Sequence, residues 1–338
     1  MFTYIHGETA NDVWKQAYEA VNQTGCYVSS RNGNTKELLH TVMSINNPTQ
    51  KWITFRTPPI SIGYALAELI WMLNGSDDAN VINYWNSSLP NYAGNYSNYP
   101  GAYGKRIFLN YGMNQLDRVY ETLKKHPDSR QAVILIWDPK TDMPNYKGEP
   151  NNEDIPCNIC SMIKVRNKKL EWTQIMRSND LVLGMPYDVV QFTSVQEILA
   201  SWLGVEVGSY NHLSDSLHIY EGKVNTTKIH NINVENMDSL GIMKNSFSNV
   251  MRMIYDNMLF ISHSTELTET QLINISNQDT GYEAYNNIQK VICAYVANKK
   301  LDYNTCDIIM EGCSNKAYKI MWNNWSKKTG GKYYVKNY

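Results

Sequence analysis

The chain has 338 residues, 43% of them hydrophobic, with 31 basic and 32 acidic side chains and a formal charge of −1. That size and apolar content suffice for a full core, as one large domain or a domain with an appendage, and near neutrality excludes the basic field that holds nucleic acid polymers. The stretch Met1 to Gly7 lacks a basic segment followed by an apolar one, and no apolar run approaches the roughly 18–20 residues of a membrane span, so the expectation is a cytoplasmic protein with a small ligand.

Asn11 and Asp12 precede Val13, Trp14, Ala17, Tyr18 and Val21 at helical spacing, which predicts an amphipathic helix over residues 8–24. Ser30-Arg31-Asn32-Gly33 reads as a polar turn. Residues 61–74 predict a helix that is apolar nearly all round and therefore buried, interrupted by Glu68. A buried acid is costly unless it is paired or stays neutral; general acid–base groups occupy such positions, and so do structural ion pairs. From 83 to 103 the chain is rich in Tyr, Asn, Pro and Gly, includes Trp85, and predicts a long irregular loop that is either a stacking surface or a packed surface segment.

Residues 113–126 predict an amphipathic helix and 131–137 a strand, with a turn at His126-Pro127-Asp128-Ser129-Arg130 between them. A polar insertion covers 141–154. Residues 161–165 and 170–175 alternate as paired strands joined by Arg166-Asn167-Lys168-Lys169, 189–203 predict a helix, and 209–220 a strand. Residues 240–262 and 280–299 read as helical, and a stretch with Trp322 and Trp325 closes the chain.

Six cysteines (Cys26, Cys157, Cys160, Cys293, Cys306 and Cys313) are too sparse for a disulfide framework and are expected as free thiols. Cys157 and Cys160 form a Cys-x-x-Cys, but a redox pair usually opens a helix, and zinc needs two more ligands at suitable spacing; Cys160 reads as a core thiol and no metal is expected. Cys157, directly behind Pro156, is the candidate nucleophile.

Pro156-Cys157-Asn158, the run from Arg177-Ser178-Asn179-Asp180 through Gly184-Met185-Pro186-Tyr187-Asp188, and His218-Ile219-Tyr220 together resemble the thymidylate synthase family. Ser178 stands 21 residues and Asp188 31 residues after Cys157, the family's spacing. Glu68-Leu69-Ile70-Trp71-Met72-Leu73-Asn74-Gly75, Tyr103-Gly104-Lys105 and Pro127-Asp128-Ser129-Arg130 extend the likeness. It implies an α/β (α+β) fold with a mixed sheet backed by helices, a catalytic domain over 1–222 and a helical C-terminal extension over 223–338 packed on the same domain.

The resemblance also implies roles. Cys157 adds as a thiolate to C6 of a pyrimidine nucleotide, Glu68 handles water and protons, and Tyr103 borders the nucleophile. Arg31, Arg177, Ser178 and the Arg130 of a second protomer hold the phosphate of a nucleoside monophosphate, while His218 and Tyr220 meet the sugar. Trp85, Asp180 and Gly184 border the cofactor, 5,10-methylene-tetrahydrofolate. Arginine near a thiol lowers its pKa, so Arg177 is expected to make the thiolate available.

The departures set the specificity. Asp188 replaces the family's pyrimidine-reading Asn, a change that resembles the branch acting on cytosine nucleotides and leaving a hydroxymethyl group. An amide matches O4 and N3–H of uracil, whereas a carboxyl accepts from N4 of cytosine and, when protonated, donates to N3. A helix N-cap is the competing role for Asp188. Asn158 stands where methylating members carry His, Met176 replaces the Gln before Arg-Ser, Gln131 replaces a second phosphate arginine, and the usual C-terminus that excludes water is not recognisable. The expected activity is 5-hydroxymethylation of CMP or dCMP, by water addition to an exocyclic methylene on the bound ring. The alternatives are methylation or hydroxymethylation of dUMP, or an idle member that binds nucleotide or RNA as a regulator.

Overall fold

The computed structural model describes residues 2–30, 33–222 and 234–328. Among them are eight strands: β1 (Thr3–Gly7), β2 (Cys26–Ser30), β3 (Gly33–Ile45), β4 (Val133–Leu135), β5 (Asn158–Arg166), β6 (Lys169–Met176), β7 (Asn179–Asp180) and β8 (Glu206–Tyr220). They form one sheet in the order β1-β3-β8-β6-β5-β4, with β2 also on β3 and β7 also on β8. Strand β1 is parallel to β3, and β6 and β7 are parallel to β8; the other pairs are antiparallel. This is the mixed α/β sheet backed by helices that the motifs implied.

Register separates the two faces. Ile163, Trp172, Tyr210 and Ile45 are directly opposed across four strands and none is exposed. Helices Ala10–Thr24 and Met185–Leu203 cover this face: Gln196 of the second donates to the carbonyls of Leu170 and Gly208, and Trp14 of the first donates to Leu181 O. On the opposite face Tyr4, Val42, Leu213, Ile175, Cys160 and Leu135 are opposed in a second row. Tyr4 and Leu135 are exposed and the others half-buried. Cys160 is therefore a thiol of the open sheet face and not of the core.

Helix Ile62–Leu73 is the hub of the helical layer. It packs against Met185–Leu203 and against Lys244–His263, Glu283–Lys299 and Lys316–Lys328 of the C-terminal region, so all of its sides are covered, as its continuous apolarity requires. Gly63 makes one of these contacts possible: a Cβ there would stand 2.4 Å from the Tyr295 ring. The C-terminal helices thus share one continuous core with the sheet domain. Two polar anchors reinforce the join, Asn74 Nδ2 to Met251 O at 2.9 Å and Ser76 Oγ with Tyr255 Oη at 2.7 Å.

The segment 83–103 departs from the irregular loop expected. Trp85 ends the helix Ala79–Trp85, is 1% exposed, and meets Tyr84 edge-on. Its carbonyl accepts from Tyr295 Oη. Apolar spacing in 79–85 was hidden by the surrounding Asn and Tyr.

Candidate active site

One cleft of about 800 Å³ collects most of the residues singled out from the sequence: Glu68, Tyr103, Cys157, Arg177, Ser178, Asp180, Gly184, Asp188, His218 and Tyr220. Three do not join them. Trp85 lies in the core and presents no face to the cleft. Arg130 is exposed on the turn before β4 and is absent from the lining. Arg31 lies outside the described residues, although its neighbour Ser30 reaches the rim.

The nucleophile segment is held by arginine. Arg177 donates from Nε to Pro156 O at 2.9 Å, from Nη2 to Ile155 O at 3.1 Å, and from its backbone to Cys157 O at 2.9 Å. Its guanidinium also lies 5.3 Å from the centre of the Trp137 ring. The β5–β6 register shifts between Asn158 and Cys160, so a bulge bends the strand where it leaves Cys157. The expected thiolate is not the resting form: burial pushes the Cys157 thiol up to about 11, Arg177 opposes this, and Asp188 and Asp154 add to the rise. Desolvation outweighs the single arginine here, with three carboxylates, Asp188, Asp154 and Asp180, adding to it.

Asp188 sits in the first turn of helix Met185–Leu203, which begins after Gly184, and it is not the N-cap. Its Oδ2 accepts from Asn179 Nδ2 at 2.9 Å. The direction of that bond is fixed from behind. Burial lowers His212 to about 3, so its ring is neutral. Asn179 Oδ1 faces His212 Nε2 at 3.1 Å and Ser214 Oγ at 3.4 Å, which makes Nε2 the protonated nitrogen, while His212 Nδ1 accepts from Tyr210 Oη at 3.0 Å. With its oxygen turned to His212 and Ser214, Asn179 presents its amide nitrogen to Asp188. Burial, partly offset by that amide, raises Asp188 to about 7, and Glu68 and Asp180 add to the rise.

Glu68 lines the same cleft from helix Ile62–Leu73, and its charge acts on Asp188. Its Oε1 accepts from Tyr64 Oη at 2.5 Å, whereas Oε2 is buried without a hydrogen-bond partner. Burial raises the carboxyl to about 7 against the opposing influence of the Tyr64 hydroxyl and the Gln191 amide. No cation pairs with it among the described residues, so it is a partly orphaned acid inside a cleft and not the structural ion pair weighed from the sequence.

Tyr103 opens helix Tyr103–Phe108, and its position depends on Gly104, where a Cβ would stand 2.2 Å from Met72 O. His218 is 8% exposed and meets Tyr220 edge-on at 5.2 Å. Asp180 spends Oδ1 on the backbone N–H groups of Val182 and Leu183, closing the turn that carries Gly184. Asp215, by contrast, is outside the cleft and pairs with His40 at 2.9 Å.

Two departures from the family pattern also lie outside the cleft. Asn158 is fully buried and accepts from Gln174 Nε2, in a polar cluster where Gln174 Oε1 in turn accepts from Ser161 and Trp172. Met176 is core.

Two lining residues, Arg56 and Asp154, had no sequence signal, whereas Leu89, Tyr92 and Tyr99 belong to the stretch that read as a candidate stacking surface. Arg56 is 5% exposed, lies 5.9 Å from the Tyr187 ring centre, and has Nε and Nη1 buried without hydrogen-bond partners. It sits in a stretch without regular structure, where a lone arginine reads as solvated. Asp154 ends what reads as a surface insertion. Trp71, Tyr92, Tyr99 and Leu89 form an aromatic and apolar wall.

Residues 12–260 match the family model described as thymidylate synthase. The chain belongs to the thymidylate synthase family. It is 31% identical over 231 residues to a deoxyuridylate hydroxymethyltransferase of Bacillus phage SP01, covering 65% of this chain and 59% of that protein. A deoxyuridylate hydroxymethyltransferase of Delftia phage PhiW-14 is 29% identical over 205 residues, covering 59% of this chain and 57% of its own length. The thymidylate synthase of Clostridium beijerinckii is 26% identical over 231 residues, covering 65% and 78%. The chain thus spans less than two thirds of either phage relative. The family match continues past residue 222 and through most of helix Lys244–His263.

Proposed function

We propose that the protein 5-hydroxymethylates a cytidine monophosphate, CMP or dCMP, with 5,10-methylene-tetrahydrofolate as one-carbon donor. The observation that carries this reading is Asp188, with its polarity set by Asn179. With Oδ2 accepting from Asn179, a proton on the carboxyl resides on Oδ1. Oδ1–H then donates to N3 of cytosine while Oδ2 accepts from the N4 amino group. A carboxyl raised to about 7 supplies that neutral form near physiological pH.

The remaining residues fit the same chemistry. Cys157 passes its proton to water as the nucleotide enters beside Arg177, and the thiolate forms the bond to C6 that makes C5 nucleophilic. Arg177 and Ser178, with Arg31, meet the phosphate, and His218 and Tyr220 the sugar. Glu68 exchanges protons on the base side through Tyr64 and Gln191. The wall of Trp71, Tyr92, Tyr99 and Leu89, with Asp180 and Gly184 at its edge, suits a flat pterin ring. When bound, the folate supplies a one-carbon unit at the oxidation level of formaldehyde. A homodimer accounts for two further features: the open sheet row from Tyr4 to Leu135 needs a cover, and the exposed Arg130 reaches a cleft only in a partner.

A second reading, hydroxymethylation of dUMP, is favoured by the names of the phage relatives and opposed by Asp188, whose carboxylate would face O4. Product mass after incubation with methylene-tetrahydrofolate and CMP, dCMP or dUMP separates the two. A 5-hydroxymethyl cytosine nucleotide supports the proposal, and a product from dUMP alone refutes it.

A further inference from the structure

Three carboxyls of the cleft have roles above: Asp188 faces the base, Glu68 moves protons beside it, and Asp180 closes a turn. Two more have none: Glu153, which is exposed, and Asp154. Asp154 stands three residues before Cys157 and lines the cleft with Tyr99, Gly101 and Tyr103. Its Oδ2 accepts from Gly101 N at 2.7 Å, and no hydrogen bond to Oδ1 is seen among the described residues. A Cβ on Gly101 would stand 3.0 Å from Asp154 Cγ and Oδ1, so the carboxyl lies against backbone that only glycine leaves clear. After burial and Arg177, the charges acting on the Cys157 thiol are Asp188, then Asp154, then Asp180. Glu68 is on the wall of helix Ile62–Leu73 and is not among them. A nucleotide bonded to Cys157 therefore has a carboxyl at the loop wall as well as the one reading its base.

We infer that Asp154 is a catalytic residue, the base that activates the water which ends the reaction as a hydroxymethyl group. This rests on the hydroxymethylation reading and adds to it the group that decides the outcome. The water oxygen forms a bond to the exocyclic methylene carbon of the covalently held nucleotide, and one water proton passes to the Asp154 carboxylate. The methylene π pair moves into the ring, and expulsion of the Cys157 thiolate from C6 restores the C5=C6 double bond. No oxidant or reductant is required. Burial holds Asp154 up at about 6, so the carboxyl is ionised at neutral pH while remaining basic enough to accept the proton.

The test uses Asp154→Asn, which keeps an acceptor for Gly101 N–H, and Asp154→Ala with and without added formate. Two signals are read: tritium release from C5 of the labelled cytosine nucleotide, with and without folate, and hydroxymethyl product by mass. The inference predicts tritium exchange within about threefold of wild type, hydroxymethyl product lower by about 100-fold or more, and recovery of Asp154→Ala by formate. Product formation that is unchanged, or that falls only in step with tritium exchange, overturns it. Loss of both signals in both variants also overturns it, because the residue then serves the fold or the adduct step. A wild-type protein that yields only a methyl product refutes the hydroxymethylation reading as well, whereas wild-type hydroxymethylation with an unaffected Asp154→Asn refutes this inference alone.

Discussion

Asp188→Asn is the perturbation with the most determined outcome, because Asn179 dictates how the new amide must lie. Asn179 Nδ2 points at position 188 from 2.9 Å, held there by His212 and Ser214. An amide at 188 must therefore turn its oxygen to Asn179 and its NH2 to the base. The oxygen then stands where Oδ2 accepts from N4 and the NH2 where Oδ1–H donates to N3, so the amide keeps both contacts to cytosine and opposes both O4 and N3–H of uracil. A buried polar group left unpaired costs about 1–3 kcal/mol, so the two mismatches to uracil are worth at least about 2 kcal/mol, roughly 30-fold. The prediction is that Asp188→Asn still prefers dCMP over dUMP by roughly 30-fold or more in kcat/KM, measured by tritium release from C5, and no longer loses that preference as pH rises through about 7, where Asp188 ionises. The reasoning is refuted if the variant comes to prefer dUMP. Asn179→Ala should broaden discrimination in the wild-type background, since nothing then fixes the proton on Oδ1.

Other outcomes follow from the same geometry. Glu68 and Asp188 are both raised to about 7 in the folded chain, above their unfolded values near 4. Their stabilising contribution is complete below about pH 4 and is lost as pH rises through about 7. The unliganded protein should therefore have a lower Tm at pH 8 than at pH 6, and the Glu68→Gln/Asp188→Asn double variant should show a flatter profile. Lys51 pairs with Glu197 in the core, and the other carboxylate oxygen of Glu197 faces Leu240 N; Lys51→Met should cost about 3–5 kcal/mol in chemical denaturation, most of it recovered by adding Glu197→Leu. Arg56→Met removes a buried cation with two unpartnered nitrogens; it should raise the Tm of the unliganded protein and weaken an anionic ligand by about 10-fold or more, seen as a raised KM for nucleotide or folate.

Legibility of the sequence tracked how locally each role is encoded. The segment from Arg177 to Asp188 is a turn followed by a helix, so its residues reach the cleft as one unit, and spacing alone located them. Helix Ile62–Leu73 was legible because it is covered on every side and its apolarity is continuous. Trp85 failed because composition said loop while seven residues, Ala79–Trp85, coil into a helix whose last ring turns inward. Arg56 and Asp154 failed for a different reason: their burial is made by distant elements, Tyr187 for one and Gly101 for the other. The Cys157 thiol shows the limit of pairwise reasoning, since an adjacent arginine was visible and the burial that outweighs it was not.

The central claim is tested most directly by incubating the protein with methylene-tetrahydrofolate and, separately, CMP, dCMP and dUMP, then reading product mass together with the near-ultraviolet absorbance of dihydrofolate. The account predicts a hydroxymethyl product from a cytosine nucleotide with no dihydrofolate signal. A methyl product from dUMP accompanied by dihydrofolate would contradict it.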